Sequence, residues 1–283
     1  MHELNLIDET FDVNQSKNYF LSAQSSLSGF TYSISDTVRN KCLQLRHYPC
    51  KCADWQEYQQ FIVPVLEKDA NLRLDYKKVG HILCQKEFSI VPEPLFLTNP
   101  TELETYFPGE HDFQSISLTT SKSLASKSVI ISLYPSALAD SLNRSFSNII
   151  LMHQTIPFIN NLMLESVRSL RHVFHLHIQT DFITLGVAHS GNLDFINTFK
   201  VESTEDIIYF TLSVLERYKA SPSLAEIFIM NENEALKDIV VLLQKYIGKV
   251  RQIKSPQSVV YSYVLSEEIL LRFVNLLNIY NCE

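Results

Sequence analysis

Apolar and polar residues alternate from residue 19 to residue 48, which is the period of a strand with one buried face. Polar breaks, the first at Ser28-Gly29, divide the segment, so the pattern predicts a three-stranded meander. Asp54 follows as a predicted N-cap, because apolar side chains from Trp55 to Leu66 recur at helical spacing. The chain therefore begins with three strands and a helix.

The same succession recurs past the middle of the chain. Residues 173–201 repeat the alternation, with a predicted turn at 190–192. Ser203 and Asp206 have the spacing of a capping box, and a helical pattern follows them. Three short segments also recur in the same order: 21–27 as 176–182, 65–68 as 214–217, and 137–140 as 235–238. The two halves therefore share one predicted series of elements.

Strands and helices alternate in the rest of each half. In the first half we predict strands at 129–133 and 149–152 and helices at 137–146 and 157–167; in the second, strands at 227–230 and 250–253 and helices at 234–246 and 264–279. Each half then reads βββαβαβα. This order predicts an α/β class with a mixed sheet in each half.

The first half is longer than the second. The second and third recurring segments are much further apart in the first half, which predicts an inserted subdomain at about 72–122. It would hold a hairpin at Val79–Val91. The predicted organisation is a first half at 1–172 that includes this insertion, and a second half at 173–283.

Composition excludes several classes of protein. A length of 283 residues with 46% hydrophobic residues provides for large cores. A formal net charge of −7 disfavours nucleic acid as the main partner, because a phosphate backbone requires a basic surface. No window has the roughly 18 apolar residues that a membrane span needs. Residues 1–20 are polar and acidic, unlike a secretory signal, so we expect a cytoplasmic protein.

Cysteine and glycine usage narrows the chemistry. Five cysteines, an odd number, indicate reduced thiols, and Cys50-Lys51-Cys52 lacks the second pair of a closed zinc site. Only six glycines occur, and no glycine-rich phosphate loop is present. We therefore predict neither a metal nor a cofactor.

The halves carry a resemblance to a known superfamily. Segments 21–34, 88–92 with 95–96, and 197–199 followed by 205–206 and Tyr209 resemble an uncharacterised bacterial family, a domain of unknown function with an actin-like ATPase fold. Two βββαβαβα halves with an insertion in the first also resemble pilus-assembly, type II secretion and cell-division members of the actin-like superfamily. The resemblance implies duplicated, ribonuclease H-like halves around a cleft.

The phosphate site of that superfamily is altered in this chain. Active members hold ATP between the halves, on an Asp-x-Gly motif at the first strand turn of each half. The matching positions here are 22–24, Ser-Ala-Gln, and 177–179, His-Ile-Gln. A Gly-Gly turn of the superfamily falls on 231–234, Asn-Glu-Asn-Glu. Aspartates would organise Mg²⁺ and glycines would admit phosphate, so ATP hydrolysis is not expected.

The favoured hypothesis is a catalytically inactive, cytoplasmic scaffold or protein-interaction module without catalytic residues. A small polar ligand in its cleft would contact amide, hydroxyl and imidazole groups at or beside the matching positions. These candidate residues are Gln24, Ser26, His177, Gln179, Asp181 and Asn231. The alternative is an ATP-binding ATPase or kinase in which Asp181 replaces the lost aspartate. A factor for RNA modification or ribosome assembly is a third hypothesis, which the acidic charge does not support.

Two further features remain open at this level. His175 and His177 share one face of a predicted strand, so they suit a metal only if a distant residue such as His153 or His189 joins them. The favoured interpretation is packing beside the cleft. The predicted last helix, 264–279, is apolar on more than one face, which implies burial against its own sheet and the other half, or against a partner or second copy.

Overall fold

The computed structural model describes residues 2–96, 106–107, 115–231 and 236–282. Within these residues the strands form three sheets: a seven-stranded first sheet, a five-stranded second sheet and a three-stranded third sheet.

The first sheet is built mainly from the N-terminal part of the chain. Its strands are β1 (Leu4–Ile7), β2 (Tyr19–Ser26), β3 (Gly29–Asp36), β4 (Lys41–Pro49), β5 (Lys78–Leu83), β9 (Ile149–His153) and β15 (Val260–Tyr261). The spatial order is β1-β4-β3-β2-β5-β9, and β15 pairs with β4. The predicted meander is therefore confirmed as β2, β3 and β4.

The second sheet has the same topology at its centre. Its strands are β10 (Val173–Ile178), β11 (Phe182–His189), β12 (Asn192–Lys200), β13 (Glu226–Asn231) and β14 (Lys249–Gln252), in the order β12-β11-β10-β13-β14. In each sheet the first meander strand pairs antiparallel with the second and parallel with the fourth strand of the half. The predicted α/β class with two alike halves is confirmed.

The third sheet corrects the predicted position of the insertion. It consists of β6 (Phe88–Pro92), β7 (Ile116–Ser123) and β8 (Ser128–Pro135), in the order β6-β8-β7. The predicted hairpin at Val79–Val91 is wrong, because Lys78–Leu83 pairs in parallel with both β2 and β9 in the first sheet. The predicted core strand at 129–133 lies in β8 instead. The extra sheet thus follows the fourth strand of the half and not its first helix.

The error has a physical cause. Both segments are short apolar runs, and hydrophobic periodicity identifies a buried strand without identifying the sheet to which it belongs. The difference in length between the halves gives the size of an insertion but not its position. Only the hydrogen bonds between strands decide that position.

Seven α-helices of the described residues pack on these sheets. They are α1 (Trp55–Lys68), α2 (Ser136–Ser145), α3 (Thr155–Val167), α4 (Thr204–Arg217), α5 (Leu236–Leu243), α6 (Glu267–Arg272) and α7 (Val274–Asn278). The Asp54 side chain caps α1 by accepting from the Glu57 amide, and Ser203 with Asp206 forms the predicted capping box of α4. The predicted last helix is two short helices, broken at Phe273.

The final helix of each half lies on the sheet of the other half. Helix α3 contacts β10 and β11 of the second sheet, whereas α7 contacts β2 and β3 of the first. The two helices also contact each other, and a buried apolar cluster that includes Phe158, Phe273 and Leu276 lies between the sheets. The halves are therefore interlocked by exchanged helices and do not merely lie side by side.

Two buried asparagines join the exchanged helices. The side-chain amide of Asn275 donates to the carbonyl of Gln154 at 3.2 Å, and that of Asn278 donates to the carbonyl of Pro157 at 3.0 Å. Both asparagines are about 1% exposed. Each bond contributes about 1 kcal/mol, and losing either would leave a polar group buried without this partner.

Glycine permits the close approach of each exchanged helix to its sheet. A Cβ at Gly186 in β11 would lie 2.6 Å from Phe158 Cε1 and 2.7 Å from Leu162 Cδ2, both on α3. A Cβ at Gly80 in β5 would lie 2.5 Å from Cγ2 of Ile279, which follows α7. Both distances are below normal carbon contacts, so each strand needs a residue without a side chain there.

We predict that Gly186→Ala lowers the free energy of unfolding by about 1–3 kcal/mol, because the added methyl overpacks the core beneath α3. Urea unfolding of the purified protein measures this loss. In a Phe158→Leu background, which removes the two ring atoms nearest the new methyl, the cost of Gly186→Ala should be smaller. An equal cost in both backgrounds would show that the strain lies elsewhere.

Candidate functional site

The predicted cleft residues of the first half lie in strand β2. Gln24 is only 2% exposed, and Ser26 is 9% exposed. Alternate residues of a strand share a face, so both side chains are on the face of Phe20, which packs into the central cluster between the sheets. Both side chains therefore face the interface between the halves.

Ser26 is engaged within its own hairpin. Its hydroxyl lies 2.9 Å from that of Ser28 and donates to the carbonyl of Gly29 at 3.3 Å. No hydrogen bond within the described part of the chain joins Ser26 to the second half. The Ser26 hydroxyl thus bonds within its hairpin and to no described candidate residue of the second half.

Two candidate residues of the second half, His177 and Gln179, belong to a buried network that crosses the interface. The side-chain amide of Gln179 donates to Oε1 of Gln154 at 2.8 Å, and its nitrogen lies 2.9 Å from Nε2 of His177. Gln154 precedes α3, at the carboxyl end of β9. A direct side-chain contact between the halves therefore fills the place where β9 and β10 end.

The network continues from Gln154 into the third sheet. Gln154 Nε2 donates to the carbonyl of Gln85 at 3.0 Å, and His153 Nε2 donates to the same oxygen at 2.9 Å. The Gln85 side-chain amide donates to the carbonyl of Leu133 in β8. We call Gln85, His153, Gln154, His177 and Gln179 the glutamine network. Its side chains are at most 8% exposed and include no carboxylate.

The hydrogen bonds fix the tautomer of His153. Its Nε2 faces a carbonyl, which only accepts, so Nε2 carries the proton. Its Nδ1 then accepts from the Thr155 hydroxyl at 2.9 Å. Burial lowers the pKa of His153 to about 4, although the bond to Gln85 opposes that shift. The imidazole is therefore neutral at physiological pH.

The remaining candidates lie outside this network. Asp181 is exposed in the turn between β10 and β11. The pKa of Lys200 is raised mainly by its hydrogen bond and charge attraction to Glu202, and to a smaller extent by the charge of Asp181. The backbone of Asn231 ends β13 opposite Ile178, but its side chain and residues 232–234 lie outside the described part of the chain.

Sequence reasoning missed two residues of the network, Gln85 and Gln154. Both lie just after apolar strands, so the carboxyl-edge rule applied to β5 and β9 would have found them.

The histidines of β10 pack against α3. His175 and His177 share one face, with ring centroids 6.0 Å and 6.3 Å from that of Phe158. His175 is fully buried, and neither of its ring nitrogens has a hydrogen-bond partner among the described residues. Over the same residues there is no group of three His, Cys, Asp or Glu side chains suited to a metal ion.

A serine and a histidine also meet in the outer core of the first half. Ser25 Oγ lies 2.8 Å from His81 Nε2 and accepts from the Tyr58 hydroxyl at 2.8 Å, while His81 Nδ1 lies 2.5 Å from the Tyr134 hydroxyl. This spacing is that of a nucleophile and its base. All four residues are fully buried, however, so no substrate reaches Ser25 and the group is structural.

A comparison with protein families identifies the family to which this chain belongs. One family model, described as "Protein of unknown function (DUF3822)", matches residues 8–250. The chain belongs to the DUF3822 family. A search of curated proteins returned no match.

Solved structures similar to this DUF3822 chain share its fold. One is a protein with actin-like ATPase fold and unknown function from Bacteroides thetaiotaomicron VPI-5482, at 20% identity and TM-score 0.75, covering 86% of this chain and 93% of that one. A second is the PilM-PilN type IV pilus biogenesis complex, at 12% identity and TM-score 0.63, covering 93% and 98%. A third is the ethanolamine utilization protein EutJ from Carboxydothermus hydrogenoformans, at 9% identity and TM-score 0.51, covering 97% and 91%. The actin-like fold is thereby confirmed.

Three cavities of the DUF3822 chain lie away from the glutamine network. One, of about 1570 Å³, lies beside the second sheet and is lined by Arg168, Arg171 and Lys254 among others. Two smaller ones, of about 500 and 350 Å³, lie beside the end of α1 and beside α3. None of these three is lined by Gln24 or Gln179. Among the described helices, none is long and apolar enough to cross a membrane.

We predict that stability falls as pH drops below about 6.5, the ordinary pKa of histidine. Burial lowers the pKa of His81 and His175 to about 3. Between those pH values the unfolded chain binds more protons than the folded one, so each histidine removes about 1.4 kcal/mol per pH unit. Urea unfolding at neutral and mildly acidic pH measures the slope.

His175→Leu should make that slope shallower by the contribution of one histidine, since leucine does not titrate and the ring nitrogens give up no described hydrogen bond. Leu176→Val is the control, because it removes buried volume from the same strand but no titratable group, so it should lower stability without changing the slope. Equal slopes in wild type and His175→Leu would contradict burial of a neutral His175.

Proposed function

We propose that this chain is a catalytically inactive actin-like protein that acts in the cytoplasm as a scaffold or protein-interaction module. The observation that carries the proposal is the glutamine network, in which Gln179, just after β10, bonds directly to Gln154, just after β9. The superfamily resemblance assigns this region between the halves to phosphates. Here buried amides and imidazoles occupy it and satisfy one another.

The chemistry of these groups supports the loss of nucleotide turnover. Mg²⁺ requires oxygen ligands, which are usually carboxylates. The glutamine network contains no carboxylate. Positions 22–24 and 177–179 also lack glycine, so side chains stand where backbone amides would contact phosphate. A ligand entering there would have to separate Gln179 from Gln154 and leave buried amides to be satisfied again.

Interaction with another protein is the second part of the proposal. Support comes from the similar fold in the PilM-PilN complex, an assembly of two proteins, although identity to it is only 12%. A second copy of this chain is the other partner that we propose. A small polar ligand bound by Gln24, Ser26, His177, Gln179, Asp181 and Asn231 stays a prediction.

We predict that millimolar ATP with Mg²⁺ does not raise the melting temperature of the purified protein. Ligand that binds only the native state at a hundred times its dissociation constant stabilises it by about 2.7 kcal/mol, which thermal unfolding detects readily. An active actin-like ATPase measured in parallel confirms that the assay responds. ATP without Mg²⁺ is the matched control.

A Mg²⁺-dependent rise in melting temperature would overturn the proposal and favour the alternative, an ATP-binding ATPase or kinase with an altered site. Asp181→Asn would then be measured first. Loss of the rise in that variant would assign to Asp181 the role of the missing metal-organising carboxylate, and retention would assign the metal to other residues.

A further inference from the structure

A basic groove borders the second sheet. It has a volume of about 1570 Å³ and lies between the segment that follows α3, the turn that follows α4, and β14 with the segment after it. Six cationic side chains line it: Arg168, Arg171, Lys219, Lys249, Arg251 and Lys254. Only two acidic side chains, Glu165 and Glu226, are among its lining residues. This concentration of positive charge contrasts with the net charge of −7 of the chain.

Most of these cations have no partner among the residues that the structure describes. Arg251 forms an ion pair with Glu226. The side chains of the other five are exposed and form neither an ion pair nor a hydrogen bond with any residue that the structure describes. Like charges held close together repel one another, so an unneutralised cluster costs free energy that an anionic partner would recover.

The same groove exposes aliphatic side chains. Leu164 is 59% exposed, Leu170 is 96% exposed and Leu224 is 74% exposed, and all three line it. Leu164 also lines the neighbouring cavity of about 350 Å³, together with Leu124 and Val167, which are 71% and 72% exposed. Clustered exposed aliphatic residues beside a rim of charge are typical of a protein-binding surface.

We infer that the basic groove binds an acidic, amphipathic segment of a partner protein. Aspartate or glutamate side chains of that segment pair with the five cations, and its apolar side chains cover Leu164, Leu170 and Leu224. A nucleic acid would neutralise the cations but leave the aliphatic side chains uncovered, and the acidic remainder of the chain would repel a long polyanion. The inference rests on the interaction role proposed above and not on the loss of nucleotide binding.

The test uses a fluorescein-labelled peptide that repeats Glu-Glu-Leu-Leu, with binding followed by fluorescence anisotropy. The groove variant is Lys249→Glu with Lys254→Glu, both on exposed side chains. We expect it to weaken binding about ten-fold or more, because attraction becomes repulsion at two positions. The matched control is Lys17→Glu with Lys51→Glu, exposed lysines of the first half that give the same change in net charge.

The apolar contribution is tested separately. Leu170→Ser with Leu224→Ser should weaken the same peptide about ten-fold, while Leu95→Ser, at a site 66% exposed in the first half, should not. A labelled single-stranded oligonucleotide is compared with the peptide. Circular dichroism of every variant checks that each one is folded.

Three results would overturn the inference: no binding of the peptide, equal weakening by the groove and control variants, or an oligonucleotide that binds as tightly as the peptide and is lost in the groove variant. The last result would assign the groove to nucleic acid. None of them bears on the ATP measurement, so failure of this surface is distinguishable from failure of the inactive-ATPase proposal.

Discussion

The exchange of helices between the halves is the constraint on which the rest of the structure depends. Helix α3 leaves the first half to cover the second sheet, and α7 returns to cover the first. Each exchange requires a glycine in the receiving sheet, Gly186 beneath α3 and Gly80 beside Ile279. Because each helix supplies part of the core of the other half, neither sheet has its full apolar cover without the other.

That exchange also explains why the cleft is closed by polar side chains. Helix α3 begins immediately after β9, so its preceding residue, Gln154, is held at the carboxyl edge of the first sheet and opposite β10. The side chain of Asn275 on α7 donates to the backbone carbonyl of Gln154, and the side chain of Gln179 donates to the side-chain oxygen of Gln154. The glutamine network is thus positioned by the same packing that joins the halves, which accounts for its burial.

Two regions of this chain have opposite character. The glutamine network is buried, neutral and hydrogen-bonded within itself, whereas five of the six cations of the basic groove are exposed and have no partner among the described residues. A buried amide network adds specificity to how the halves pack, because each amide must meet its partner. An exposed cluster of cations and leucines instead favours association, because a partner that covers it neutralises the charges and buries the apolar side chains. Both regions agree with the proposed role, in which the actin-like architecture serves binding.

Much of the architecture was determined by the sequence alone. Strand alternation identified both meanders, Asp54 and the pair Ser203 and Asp206 identified two helix starts, and the repeated order of elements identified two alike halves. These features are local, since periodicity and capping depend on residues within a few positions of one another. The prediction that His177 and Gln179 line a cleft came instead from the superfamily resemblance. Tertiary structure alone decided which sheet received Lys78–Leu83 and Ser128–Pro135, where α3 and α7 packed, and that Gln154 met both Gln85 and Gln179. The reason is physical: strand pairing and side-chain contacts join residues far apart in the chain, and their energies depend on which surfaces meet, which no pattern within a single segment records.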